Sequence, residues 1–188
     1  MTRNALLATV VLALCVSGSA EARHRSFGNG GGRAYESNGK FGIGLELGAP
    51  TGFNGKYFLT PNTALNFGVG WLYDNYYRDG DGFHLYLDHL WHPVSLVENE
   101  AFKLPFYFGV GGRFWSFDHY RGRDLYDRSS AVGVRVPLGV AFDFNKIPLD
   151  AFVQLTFGLD VFVGDYADRY HSIGADFGAS IGARYWFD

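Results

Sequence analysis

The chain has 188 residues, room for one domain with a full core. Aromatic residues reach 18% and glycine 26 positions, both high, while charged residues are 19%. The formal net charge of -3 supplies no basic field for nucleic acid, and a single cysteine, Cys15, excludes a disulfide framework.

Residues 1–22, MTRNALLATVVLALCVSGSAEA, open with Arg3, continue with an apolar run broken by Thr9, and end in an A-x-A pattern at Ala20 and Ala22. That order predicts a secretory signal peptide cleaved after Ala22, too short for a spanning helix. Leu14 stands where a lipid anchor on Cys15 would need a small residue. Residues 23–39, RHRSFGNGGGRAYESNG, have no period and are expected to form a flexible lead-in.

From 40 to 188 the chain alternates with a two-residue period in eight runs: 40–48, 52–60, 64–74, 82–93, 105–118, 131–144, 149–161 and 172–187. No run approaches 18 consecutive apolar residues. The pattern predicts an all-β fold, an eight-stranded antiparallel up-and-down barrel. Pro137 removes one ladder donor in the sixth run, so a local bulge is expected there.

Sorted by parity, one face is apolar in every run. It reads Phe41, Ile43, Leu45, Leu47 in the first and Phe83, Leu85, Leu87, His89, Trp91 in the fourth, with no Asp, Glu, Lys or Arg anywhere. The other face carries Glu46, Lys56, Asp88, Arg113, Arg135, Asp143, Asp150, Asp160, Asp176 and Arg184 among many glycines. Either the apolar face lines the cavity of a soluble lipocalin-like carrier, or it faces lipid and the charges fill the interior. Three features favour lipid outside. Glycine weakens a solvent-facing strand but makes room inside a small barrel. Trp71, Tyr73, Trp91, Tyr185 and Phe187 sit near strand ends, as interfacial girdles do. An eight-stranded interior could not hold so many Phe and Leu side chains.

With both ends of an eight-stranded chain on the periplasmic side, the periplasmic turns fall near Pro61, at NKIP (145–148) and at the longer SLVENEAFKL (95–104), which fits a short turn less well. The external loops are then APT, NYYRDGD, HYRGRDLYDRSS and VGDYADRYH. In the longest, Tyr120, Arg121, Arg123, Tyr126 and Arg128 are candidate surface contacts, since Tyr and Arg are common anchors.

The segments TGFNGKYFL, LPFYFGVGGRFW and VRVPLGVAFDFNKIPLDAFVQL, with GARYWF at 182–187, carry a family resemblance. Residues 40–188 resemble the small eight-stranded outer-membrane barrels of the OmpA transmembrane-domain, OmpX and OmpW type, and an uncharacterised bacterial outer-membrane barrel family. The resemblance implies a Gram-negative-type outer membrane, lipid and lipopolysaccharide as neighbours, and the barrel-assembly machinery as a partner in biogenesis. The GARYWF ending is similar to the signal that machinery reads, with Asp188 following where the signal usually ends on the aromatic.

The inward charges predict a structural network of Arg–carboxylate pairs that plugs the barrel. A small gated pore is the alternative. His84, Asp88 and His92 share a face, but positions four apart on a strand lie about 13 Å apart, too far for a common ion with metal–nitrogen bonds of roughly 2.0–2.1 Å. No metal and no cofactor are expected. A lipid-A deacylase or acyltransferase is the enzyme alternative. Adjacent His171 and Ser172 point to opposite faces, His89 faces lipid near the periplasmic end, and loop His119 with Ser129 or Ser130 is the remaining pairing. The expectation is a non-enzymatic barrel, exported to the outer membrane, with a structural or surface-interaction role.

Overall fold

The computed structural model describes residues 34–72, 82–121, 124–163 and 173–187, of which 117–121 and 124–129 are described by backbone alone. Eight strands follow one another: β1 (Phe41–Gly48), β2 (Thr51–Thr60), β3 (Thr63–Leu72), β4 (Gly82–Glu98), β5 (Phe102–Arg121), β6 (Asp124–Phe144), β7 (Leu149–Val163) and β8 (Ile173–Phe187). Each pairs antiparallel with its chain neighbour. β1 also pairs with β8, from Phe41 opposite Phe187 to Gly48 opposite Ser180, so the sheet closes on itself.

The stagger of this ring can be counted. Direct pairings lead from Leu45 through Phe53, Val69, Leu85, Phe114, Val132 and Val161 to Ile173. Leu45 itself pairs with Ala183 in β8, and 183 − 173 gives a stagger of ten residues. At about 3.3 Å per residue and about 4.8 Å between strands, that tilts the strands by about 40°. Eight strands at this tilt enclose a space that side chains fill.

Two ends of the ring can be named by their turns. The near mouth holds Phe41, Phe187 and the turns after β2, β4 and β6; the far mouth holds the other four connections. Local chemistry closes the described turns. Gly48 adopts φ 126°, a conformation that favours glycine, and the Thr51 hydroxyl accepts from Gly48 N–H at 3.1 Å. After β2, Thr60 Oγ1 accepts from Thr63 N–H at 3.1 Å. After β4, Asn99 Oδ1 accepts from Ala101 and Phe102 N–H at 2.8 and 3.0 Å.

Two expectations about local structure are corrected. First, 119–130 is no irregular loop, and 95–104 is largely strand. β5 runs on to Arg121 and β6 starts at Asp124, with Asp118 opposite Arg128 and a register shift between His119 and Tyr120. At the near mouth β4 and β5 reach Glu98 and Phe102 through register shifts after Trp91 and Ser95. A hairpin that outruns the ring is held by backbone ladder bonds and needs no apolar alternation. Second, Pro137 creates no bulge. Its pairing with Thr156 on β7 is in register, and on the β5 side the register of Phe108 with Leu138 is the same as that of Gly111 with Arg135. The missing donor leaves a short gap in the β5–β6 ladder between these pairs.

The two faces differ sharply in charge. Apolar side chains stand outward around the ring: Ile173 is 68% exposed, Phe177 67% and Phe53 62%. The charged face is inside, and Arg135, Asp88 and Lys56 are buried at 1% or less. Apolar groups close both ends of this polar interior. Tyr35, Phe58, Ala64 and Trp186 cluster at the near mouth, with Leu90, Tyr107, Ala141 and Phe152 beneath them. At the far mouth Leu72, Trp115 and Ala131 pack with Ala49 and Phe162.

Candidate functional site

All four expected interior cations point inward and are buried. Arg184 stands directly opposite Asp150 and takes its carboxylate in a fork, Nε to Oδ1 at 2.9 Å and Nη2 to Oδ2 at 2.8 Å. Its Nη1 donates to Asn54 Oδ1 at 3.0 Å and Asn66 Oδ1 at 3.3 Å, and the guanidinium lies 4.3 Å over the Phe152 ring. Arg113 makes a second fork, to Asp160, and its Nη1 reaches Asp176 at 2.8 Å. Asp176 is the least buried member, with 21% of its side chain accessible. Arg135 pairs with Asp88 at 3.2 Å, donates to Thr156 Oγ1 at 3.3 Å and stacks 3.8 Å over the Tyr86 ring. Such pairing is what allows ionised groups to stay away from water.

The register explains how these pairs meet. Arg113 is opposite Gly133, and Gly133 is opposite Asp160, so the ion pair steps over β6 at a glycine. Asp88, Gly111 and Arg135 repeat the arrangement across β5. Asn54, Gly68 and Tyr86 repeat it across β3, with Asn54 donating to Tyr86 Oη at 2.6 Å. Tyr107, Gly139 and Gln154 repeat it across β6, with the Tyr107 hydroxyl donating to Gln154 Oε1 at 3.3 Å. A Cβ at Gly133, Gly111, Gly68 or Gly139 would run into the bridging side chain. The inward glycines are therefore the gaps through which residues two strands apart reach each other.

Three charged residues of the network, Glu46, Lys56 and Asp143, sit outside the arginine pairs. Glu46 Oε2 accepts from the Tyr86 hydroxyl and from Asn54 Nδ2 at 3.2 Å. Lys56 pairs with no carboxylate among the described residues. Its ammonium donates to His92 Nε2 at 3.1 Å and lies 4.6 Å from the Tyr107 ring centre. His92 Nδ1–H donates to the Asn62 carbonyl at 3.3 Å, which leaves Nε2 as the acceptor Lys56 needs. His84, Asp88 and His92 do not converge: Asp88 belongs to Arg135 and His92 to Lys56. Among the described residues no three metal-ligating side chains come together.

Asp143 is the one expected network member that leaves the barrel wall for a partner. It accepts from the Tyr35 hydroxyl at 2.8 Å and from Asn38 N–H at 3.4 Å. Burial first, and the Asp143 carboxylate second, push the Tyr35 phenol well above its usual range, so it stays a donor. Residues 34–40 have no regular structure and lie across the near mouth. Ser37 N–H donates to the Pro61 carbonyl, and Lys103 Nζ donates to the Glu36 carbonyl at 2.9 Å and Asn38 Oδ1 at 2.7 Å. Nothing in the Gly- and Ser-rich sequence marks Tyr35 as a buried residue; a lone aromatic in a polar stretch is the signal in hindsight.

Tyr120, Arg121, Tyr126 and Arg128 lie on the β5–β6 hairpin extension, and their side chains are outside the described residues, as is Arg123 altogether. The side chains of His119 and Ser129, the pair His171–Ser172 and residues 1–33 are also outside them. Ser130 Oγ donates to Ser116 Oγ at 3.4 Å, and His89 stands on the outward face with its ring 4.5 Å from that of Trp91. Comparison of the chain with protein-family models and with curated proteins finds no match to either.

Proposed function

We propose that this chain is an integral outer-membrane β-barrel of a Gram-negative-type cell, with its outward belt in lipid and its interior plugged by side chains. One observation carries the reading: apolar side chains are exposed around all eight strands while Lys56, Arg113, Arg135 and Arg184 are buried inside. A monomeric protein in water rarely leaves more than a few hundred Å2 of contiguous apolar surface open, and here every strand exposes large apolar side chains. The lengths of β2 and β3 fit as well. β2 and β3 have 10 residues each, which at about 3.3 Å per residue and about 40° tilt rise roughly 25 Å, the height of an apolar membrane band.

Aromatic groups gather at the near-mouth rim, where Phe41 stacks on Phe187 at 5.9 Å, Trp91 faces Phe108 at 5.7 Å and Tyr185 meets Phe187 at 5.1 Å. Such rings suit a membrane–water interface. A soluble carrier would need an apolar lumen, and this lumen is a salt-bridged one. In this reading the role is structural or one of surface interaction, with lipid and lipopolysaccharide around the belt and the β5–β6 hairpin extension as a candidate contact surface. Alkaline carbonate washing and a heat-modifiability gel test it. The protein should stay with membranes and migrate differently when unboiled; release as a soluble protein would overturn the assignment.

A further inference from the structure

We propose that residues 34–40 are a removable stopper of the near mouth, with Tyr35 as its plug, and that it lifts while the ring stays folded. Tyr35 is 5% exposed and sits in a collar of rings from three strands. Its ring centre is 5.4 Å from that of His92 and 6.0 Å from that of Phe58, and Phe58 is 5.6 Å from Trp186. Beneath this collar lie the Lys56–His92 pair and the Asp143 carboxylate, so the phenol stands between bulk water and the buried charges.

The attachment is unlike the rest of the molecule. The ring closes through β1 and β8 without any help from this segment. The strap joins no ladder; upstream of Lys40 one backbone bond, Ser37 to Pro61, ties it down. The remaining ties involve side chains: the Tyr35 hydroxyl and Asn38 N–H reach the Asp143 carboxylate, and bonds from Lys103 and from Asn38 to Phe144 and Asn145 lie at the water-exposed rim. A segment outside every ladder, with one backbone bond, one buried side chain and ties at an exposed rim, opens by itself, below the free energy of global unfolding. Gly39 marks where it leaves the barrel: a Cβ there would press on Trp186. The stopper does not depend on what surrounds the belt, so folded protein in detergent or in buffer serves equally.

Ala64 is fully buried in the same near-mouth cluster as Tyr35, and Ala131 is fully buried at the other mouth. Each is replaced singly, Ala64→Cys and Ala131→Cys, in the full chain. Labelling by a small water-soluble methanethiosulfonate is followed by mass spectrometry on the peptide carrying that position. With Ala64→Cys, labelling should be slow and nearly flat across urea concentrations below the unfolding transition, as local opening requires. Adding Tyr35→Gly should speed it at least tenfold, and Tyr35→Phe, which keeps the ring and loses the Asp143 bond, by less. Labelling of Ala131→Cys should not respond to either change. Labelling at position 64 that ignores Tyr35, that tracks global unfolding in urea, or that rises equally at position 131 would overturn the stopper.

Discussion

Arg113 and Asp160 form their forked ion pair from strands that are not neighbours, and the residue between them in register is Gly133. The ion pair and the glycine are one unit, because a Cβ at 133 would meet the Asp160 carboxylate and the Leu159 carbonyl. Gly112, one residue from Arg113 and on the outward side, has its nearest foreign atom 3.9 Å away. Gly133→Ala should therefore lower stability by about 1–3 kcal/mol, the range for overpacking, and Gly112→Ala should be close to neutral. Urea midpoints of the two variants, measured on the folded barrel, decide this; equal midpoints would remove the gap function assigned to inward glycines.

The arginines make a second comparison. Removing one partner of a buried pair leaves an uncompensated charge and costs about 3–5 kcal/mol. Arg184→Ala should reach the upper part of that range, since it also strips Asn54 and Asn66 of a donor. Arg135→Ala should also destabilise, by losing Asp88 and the stack on Tyr86. An unchanged urea midpoint for either variant would mean that its guanidinium has no energetic partner.

Asp143 and Asp150 stand directly opposite each other on β6 and β7, where like charges are unfavourable. The site resolves this by sending them to different partners: Asp150 to Arg184, Asp143 to Tyr35 and Asn38. The two should then respond unequally to neutralisation. Asp150→Asn should destabilise by about 2 kcal/mol or more through the Arg184 left behind. Asp143→Asn keeps an acceptor for Tyr35, removes the repulsion and should fall within about 1 kcal/mol of the parent. Thermal or urea unfolding of both variants measures the difference, and equal losses would contradict it.

A filled interior also makes a prediction about transport. Three arginine pairs are buried in the interior, and apolar clusters stand at both mouths. In planar bilayers the purified protein should give no steady, large conductance. Sustained porin-like currents from the wild type would show that the network is not a plug.

Much of this arrangement was legible in parity alone. Val132 to Phe144 alternate strictly, so the outward and inward sets of β6 follow from the two-residue period, and the same holds for Glu46, Asp88 and Arg184 on their strands. Partners were not legible, because they depend on cross-strand register. Lys56 finds a neutral imidazole in place of a carboxylate since β2 and β4 bring His92 to it. The extension of β5 and β6 past the ring escaped because HYRGRDLYDR has no apolar face to reveal a strand. Pro137 suggested a bulge, yet a single lost donor is absorbed by a gap when both flanking registers agree.

Leu87 gives the most direct test of what surrounds the belt. It lies mid-strand on β4, opposite Phe67 on β3 and Gly112 on β5, and its side chain is 54% exposed. In water, replacing a half-exposed leucine by arginine at such a position costs little, since the guanidinium is solvated and surface substitutions rarely exceed about 0.5 kcal/mol. At the middle of a bilayer the same change costs about 2–4 kcal/mol, because the charge must snorkel or drag water inward. A charge near either rim costs about 0–1 kcal/mol, so Phe187→Arg, at the near mouth, is the matched control. Folding equilibria in lipid vesicles should show Leu87→Arg destabilised and Phe187→Arg little changed. In detergent, where the belt is covered by a thinner and more adaptable layer, the gap between the two should shrink. If Leu87→Arg were as stable as Phe187→Arg in vesicles, the belt would not be spanning a hydrocarbon core, and its outward leucines and phenylalanines would need another partner.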